Sequence, residues 1–262
     1  MANMECLRAN YFNTTTMVTV DTGTSGALYL FDRKSDQLYT SSGDNSDSTT
    51  CTIRVEFATA KNIDKIVLQN INWKGFRIYY NSNTANLITL DSTCPTTSTQ
   101  WNQNSATSLY LNLANTLSAS IITFEITTTM SSNAEKSCGE MWITEKMLRF
   151  VHNPTARQYK VSYDRMEYTH TMSDGGTVVY FVQDNFKADI QRQYVDSTEY
   201  DSLRDLHTLV TPFAFVPFPT GTAWDGKIYE VNWIGDFDFE SYSENVTTAG
   251  YSGTMRLRET PK

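Results

Sequence analysis

The amino-acid sequence predicts a mainly β protein of two domains, each an antiparallel sandwich or barrel, with one substantial helix. Three observations carry this. Aromatics make up 13% of the 262 residues, and with abundant Thr, Ser and Asn they favour pleated surface and polar turns over helices. Apolar residues recur with period two in run after run, separated by turn-forming stretches. A helical period is confined to one segment in the second half.

In chain order, Ile53, Val55 and Phe57 alternate with Arg54 and Glu56, as in a strand with one wet face. Phe76, Ile78 and Tyr80 repeat the pattern, then Leu109, Leu111 and Leu113, then Ile122, Phe124 and Ile126. The Ser41–Thr50 and Thr89–Ser108 stretches between them have the composition of solvated, adaptable binding loops. Near Lys146–Pro154 the texture changes, and Asn153-Pro154 reads as a linker; the expected domains are residues 1–148 and 149–262. Val178, Tyr180 and Val182 alternate after the turn Ser173-Asp174-Gly175-Gly176, and Phe186, Ala188 and Ile190 follow. The helix is expected over about residues 197–209. Asp196 with Glu199 makes a capping-box-like start, Tyr200, Leu203, Leu206 and Val210 form the apolar stripe, and Pro212 stops it. Strands resume at Phe213 and at Tyr229, Val231 and Trp233.

The net charge of −8 repels a phosphate backbone, and no Lys/Arg cluster offers a local exception, so nucleic acid is not an expected partner. No apolar run reaches membrane-spanning length, and Met1–Asn10 lacks the apolar core of a secretory signal. A soluble protein without membrane insertion is expected. Cys6, Cys51, Cys94 and Cys138 are too widely spaced for a zinc knuckle or a redox pair and read as reduced, half-buried thiols. His152, His170 and His207 lack metal-site spacing, and no nucleophile-elbow or phosphate-cradling motif is present. Asp236, Asp238 and Glu240 alternate with Phe237 and Phe239 on one expected strand face. Paired carboxylates are the machinery of glycoside hydrolysis. Active carboxylates usually converge from different elements, however, and nothing signals a second contributor, so the trio reads as a solvated or subunit-contact face. No catalysis is expected.

The segment Leu28-Tyr29-Leu30-Phe31-Asp32 through Asp36 to Ser42, with Ile53–Phe57, Ile63–Asn70, Phe76–Tyr80 and Glu140-Met141-Trp142-Ile143, resembles discoidin-like domains, the coagulation factor type C or galactose-binding-like jelly roll. The resemblance spans roughly residues 20–145 and implies a jelly-roll sandwich for the first domain. Sugar-binding members often carry a structural calcium between the early acidic loop and the closing Glu. The resemblance therefore implies Asp32, Asp36 and Glu140 as candidate ligands, to be completed to six or more oxygens. Trp101, beside Asn102 and Asn104 in a long polar loop, is the candidate sugar-stacking residue.

The block Pro212-Phe213-Ala214-Phe215-Val216-Pro217-Phe218-Pro219, then Trp224-Asp225-Gly226, Ile228–Val231, Asp236–Phe239 and the closing Gly250–Thr260, is similar to bacteriophage tail proteins of the tail-tip, distal-tail and tube-like class. There a β-sandwich or barrel with one flanking helix forms rings around the tail axis. The resemblance implies a virion location in the tail, assembly in the host cytoplasm, and partners that are further copies of the chain and other tail proteins. The bulky aromatics of the second domain exceed what one small core needs, so Phe213, Phe215, Phe218, Trp224 and Trp233 are expected at the assembly interface. The expected function is a non-catalytic ring component near the tail tip or baseplate with the first domain displayed outward. The alternative is a carbohydrate-binding, lectin-like module or a receptor-binding accessory that touches host surface glycans.

Overall fold

The computed structural model describes residues 3–43, 45–82, 85–91, 103–219, 226–241 and 250–260. Along the chain the strands are β1 (Glu5–Leu7), β2 (Val18–Val20), β3 (Tyr39–Thr40), β4 (Cys51–Gln69), β5 (Trp73–Tyr80), β6 (Leu109–Thr129), β7 (Ser137–Cys138), β8 (Glu140–Thr144) and β9 (Lys146–Arg149). There follow β10 (Tyr159–Thr171), β11 (Thr177–Val195), helix α1 (Ser197–His207), β12 (Phe213–Val216), β13 (Tyr229–Trp233), β14 (Phe239–Ser241) and β15 (Tyr251–Glu259). The molecule is mainly antiparallel β with a single α-helix among the described residues, as the alternation predicts.

The first half is a sandwich whose main sheet runs β2-β4-β6-β5, with β8 also pairing with β4. Runs expected as separate strands are continuous here. Ile53–Phe57 and Ile63–Gln69 both lie in β4, and Leu109–Leu113 and Ile122–Ile126 both lie in β6. Neither segment contains a Gly or Pro to interrupt it. The pairing slips between Glu56 and Lys61 and again between Ile63 and Lys65, where Ala58, Thr59 and Ala60 are exposed. Such irregularities bend a strand and increase its twist. Both halves of each long strand then face one core, in which Ile53, Val55, Ile66, Leu68, Trp73, Leu111 and Phe124 are buried together.

The second sheet has eight strands, in the order β10-β11-β15-β13-β12-β1-β9 with β14 on β15. Both ends of the first half enter it. β1 inserts between β12 and β9, so the expected boundary at 148/149 falls inside β9, and the first residues of the chain belong to the second sheet. Three residues are too few to display a period, which is why Glu5–Leu7 gave no strand signal.

Helix α1 packs its Leu203 and Leu206 against Phe186, Ile190, Phe213, Phe215 and Met255. Its N-cap is Asp196, whose carboxylate accepts the Glu199 amide at 2.7 Å. The Glu199 side chain does not reach back as in a capping box. It is buried and ion-paired with the equally buried Arg192, whose guanidinium lies 4.1 Å from the Phe150 ring centroid.

β12 is buried along its whole length. Phe213 and Phe215 face the helix side, while Ala214 and Val216 meet Leu7, Val67, Tyr110 and Trp142 in a third cluster that joins the two halves. A polar knot lies beside this seam. Glu5 takes Lys65 at 3.3 Å and Arg149 at 3.6 Å and accepts the Tyr110 hydroxyl. The two halves thus share a buried apolar seam, and a strand of one half is woven into the sheet of the other.

Candidate assembly surface

β10 and β11 form a hairpin far longer than its sheet. β15 accompanies β11 only from Lys187 to Val195. Beyond that, Arg165–Thr171 pair with Thr177–Asp184 alone, and the ribbon projects by about 20 Å at roughly 3.3 Å per residue. The turn is well formed. The Met172 amide donates to Gly176 O at 2.7 Å, the Gly176 amide donates to Asp174 Oδ1 at 2.8 Å, and Gly175 sits at φ +83°, which a side chain would strain.

Large apolar side chains cover the ribbon although, among the described residues, no core cluster lies over it. Tyr163, Met166, Tyr168, Met172, Val179, Tyr180 and Phe181 are between 41% and 62% exposed. Register places Glu167 opposite Phe181 and Tyr168 opposite Tyr180. One face therefore carries Phe181 with Arg165 and Glu167, and the other carries Met166, Tyr168 and Tyr180. Arg165 and Glu167 are ion-paired at 2.8 Å, and the Arg165 guanidinium lies 5.4 Å from the Phe181 ring centroid. At the base, Tyr163 meets the Phe186 ring edge-on and its hydroxyl lies 3.3 Å from that of Tyr229. This surface was missed in the sequence, though a signal exists. The apolar positions change parity between Tyr163 and Met166, which means that both faces of β10 see the same surroundings.

None of the residues expected at the assembly interface belongs to this ribbon. Phe213 and Phe215 are core residues, because β12 is covered on both faces; Phe218 and Trp233 are partly buried and pack against that same core. Trp224 lies outside the described residues. The aromatic excess of the second half is thus largely spent inside it, since the sheet has a helix on one side and the first sandwich on the other.

Of the expected sugar site, Trp101 and Asn102 lie outside the described residues. Asn104 is buried, and its amide is fully used: it donates to Trp73 O and Ala106 O at 2.7 and 3.0 Å and accepts from the Ala106 amide at 3.0 Å. It staples the loop to β5.

Of the implied calcium ligands, Asp32 accepts the Lys34 amide at 2.9 Å and Glu140 accepts the Arg33 amide at 2.8 Å. Both shape one tight turn in which Arg33 has φ +66°, and Asp36 is exposed. Burial raises the Asp32 carboxyl above its ordinary value, against the Lys34 hydrogen bond that lowers it. Among the described residues no group of three or more His, Cys, Asp or Glu side chains could hold a metal.

A nearby loop has its own cation. Lys136 is fully buried, and its ammonium donates to the carbonyls of Ser46 and Thr49 at 2.6 and 3.2 Å. Asp47 in the same loop accepts the Thr129 amide and hydroxyl, both at 3.0 Å. Burial opposes the Asp47 charge, but hydrogen bonds from Thr129 and Asn133 and the nearby Lys136 outweigh it and hold the carboxyl below 3.8.

Asp236, Asp238 and Glu240 do line one cleft of about 260 Å³, together with Gln191, Gln193 and Arg256. Only Glu240 belongs to a strand, β14; Asp236 and Asp238 lie before it. A second cleft, of about 190 Å³, lies where the halves meet, lined by Arg33, Gln69, Glu140, Trp142 and Glu230. Arg33 is committed to Glu230 at 2.7 Å across it and to Thr260.

No protein-family model and no curated protein matches the chain. Solved structures similar to about half of it include chitosan-binding module 1 of a chitosanase/glucanase from Paenibacillus sp. IK-5, at 14% identity and TM-score 0.40 over 52% of this chain and 98% of that one. The family 32 carbohydrate-binding module of Clostridium perfringens NanJ in complex with galactose matches at 12% identity and TM-score 0.39, over 54% of this chain and 99% of that one. The lectin domain of lectinolysin complexed with Lewis B antigen matches at 12% identity and TM-score 0.38, over 52% and 95% of the two chains.

Proposed function

We propose that the chain is a non-catalytic structural protein that assembles with copies of itself, and that the β10–β11 ribbon is its assembly element. The observation that supports this is the ribbon itself. A two-stranded hairpin standing alone in water is marginally stable, and contiguous exposed apolar surface marks an interaction site. Here that surface is set on a sheet anchored in a large core, which is how a rigid scaffold presents a binding element. The fuller reading, from the sequence resemblance, makes the chain a ring component near the tip or baseplate of a phage tail. The ribbon would engage neighbouring copies and the first sandwich, discoidin-like in this reading, would be displayed outward.

Replacing Tyr168 and Phe181 with Ser tests the reading. Both are more than half exposed, so the melting temperature should hold while the oligomer seen by light scattering dissociates. An oligomer unchanged by the double substitution would move the interface away from the ribbon.

A second reading, carbohydrate binding by the first sandwich, is favoured by the loop at residues 41–50. Its polar groups are held in place by Lys136 and Asp47, and a preorganised polar loop loses little entropy on binding. Titration with galactose and chito-oligosaccharides, followed by calorimetry, is the test; saturable heat abolished by Lys136→Met would support it, and no heat at millimolar sugar would remove it.

A further inference from the structure

We propose that the outer edge of β10 is the contact between two copies, which pair antiparallel about Met166 across a two-fold axis. The inference rests on the self-association proposed above and adds which edge is used, in which register, and with what partner.

β10 is the terminal strand of the eight-stranded sheet, with β11 on one side and, among the described residues, no strand on the other. An edge strand offers a row of amide and carbonyl groups to any matching strand, and proteins usually blunt such edges with short length, proline or a cover. β10 is 13 residues long and contains no proline. Its pairing irregularity at Met166/Glu167 places the extra residue in β11, since Met166 faces Gln183 while Glu167 faces Phe181. The outer edge of β10 therefore runs on without a bulge.

The sequence of the edge selects a copy of itself. Antiparallel pairing about Met166 sets Arg165 opposite Glu167 of the second copy, and Glu167 opposite its Arg165. With the Arg165–Glu167 ion pair already present within each chain, the four charges alternate in sign around a square. Moving the centre by one residue would set Arg165 against its own copy, or Glu167 against its own copy, two like charges in either case. Opposite charges directly across a strand pair stabilise it, and like charges destabilise it. The same register sets Tyr163 against Thr169 and Asp164 against Tyr168.

The size also fits. Tyr163, Tyr168, Tyr180 and Phe181 are each more than half exposed. At roughly 150–250 Å² per aromatic side chain, the two on the contact strand itself, Tyr163 and Tyr168, offer on the order of 200 Å², about a quarter of one partner's roughly 800 Å² share of a standard interface. Val161, Met166, Met172, Val179 and the edge backbone supply further area. Such a contact is isologous and closes at two copies.

The test is charge reversal in the full-length chain, read as the dissociation constant of self-association by light scattering and sedimentation. Arg165→Glu alone, and Glu167→Arg alone, each oppose like charges across the axis and should weaken association by roughly tenfold or more. The double variant Arg165→Glu/Glu167→Arg restores the alternation and should recover the native constant to within about threefold. Both residues are largely exposed, and exposed ion pairs contribute little to folding, so unchanged melting temperatures verify that each variant is folded. Singles that associate as tightly as the native chain, or a double variant no better than the singles, would overturn this pairing while leaving self-association standing. A native chain that is monomeric at every concentration would instead overturn the reading beneath it.

Discussion

Lys136 and Asn104 show what single residues do in this fold. Each is of a type that ordinarily faces water, and each is buried and fully hydrogen-bonded. Lys136 brings a positive charge under the loop at residues 41–50, so Lys136→Met would leave the Ser46 and Thr49 carbonyls without their donor. Hydrogen bonds to charged groups are worth about 1.5–3 kcal/mol each; a lowered melting temperature and faster proteolysis within residues 42–49 are expected, and an unchanged cleavage rate would count against the clamp. The thiols of Cys6, Cys51 and Cys138 are unpaired and buried, and burial raises all three above the ordinary thiol value, Cys6 and Cys138 well above it. Iodoacetamide at pH 8 should leave them unmodified in the native protein and label them after unfolding, as mass spectrometry would show; prompt native labelling at any of them would refute their burial. These thiols read as half-buried in the sequence, but the burial of Lys136 and Asn104 was not legible there. Lys136 meets carbonyls 87–90 positions away, and one chain read alone carries no mark of such a meeting.

At the scale of elements, the helix was legible because its signals are local. Asp196 caps it, and Leu203 and Leu206 lie where the apolar stripe places them, while Val210 falls beyond the last turn and is exposed. Asp196→Ala should remove about 1 kcal/mol of stability, measured by denaturant titration. β12 was the opposite case. Its four consecutive apolar residues read as a strand with Phe213 and Phe215 at an interface, whereas the strand is covered on both faces, and an apolar run alone does not distinguish the two. The loop at residues 41–50 carries a pH dependence whose sign follows from Asp47. Its folded carboxyl lies below its ordinary 3.8, so its contribution is present above that value and is lost as pH falls through the lower, folded value. The Thr129 amide, which donates to Asp47, should therefore stay protected from hydrogen exchange at pH 5 and lose protection in that acid window. Protection that persists through the window would contradict the assignment.

For the molecule as a whole, the seam between the halves decides behaviour. Leu7, Val67, Tyr110, Trp142, Ala214 and Val216 are buried there together, and β1 and β9 tie the start and the middle of the chain into one sheet. The two sandwiches should therefore unfold as one cooperative unit, with a single calorimetric transition whose calorimetric and van't Hoff enthalpies agree. Two resolved transitions would mean independent domains. The period-two patterning made the strands of both halves legible. The exposure of the ribbon was not legible, because an exposed aromatic on a ribbon and a buried one in a core are the same letter. Light scattering on the intact chain, against a version with residues 165–183 replaced by a short turn, separates the possibilities. The intact chain should have a molar mass that is a whole multiple, two or greater, of 29.8 kDa, and the shortened chain should be a folded monomer. A monomeric intact chain, or a shortened chain that assembles as fully as the intact one, would contradict assembly through the ribbon.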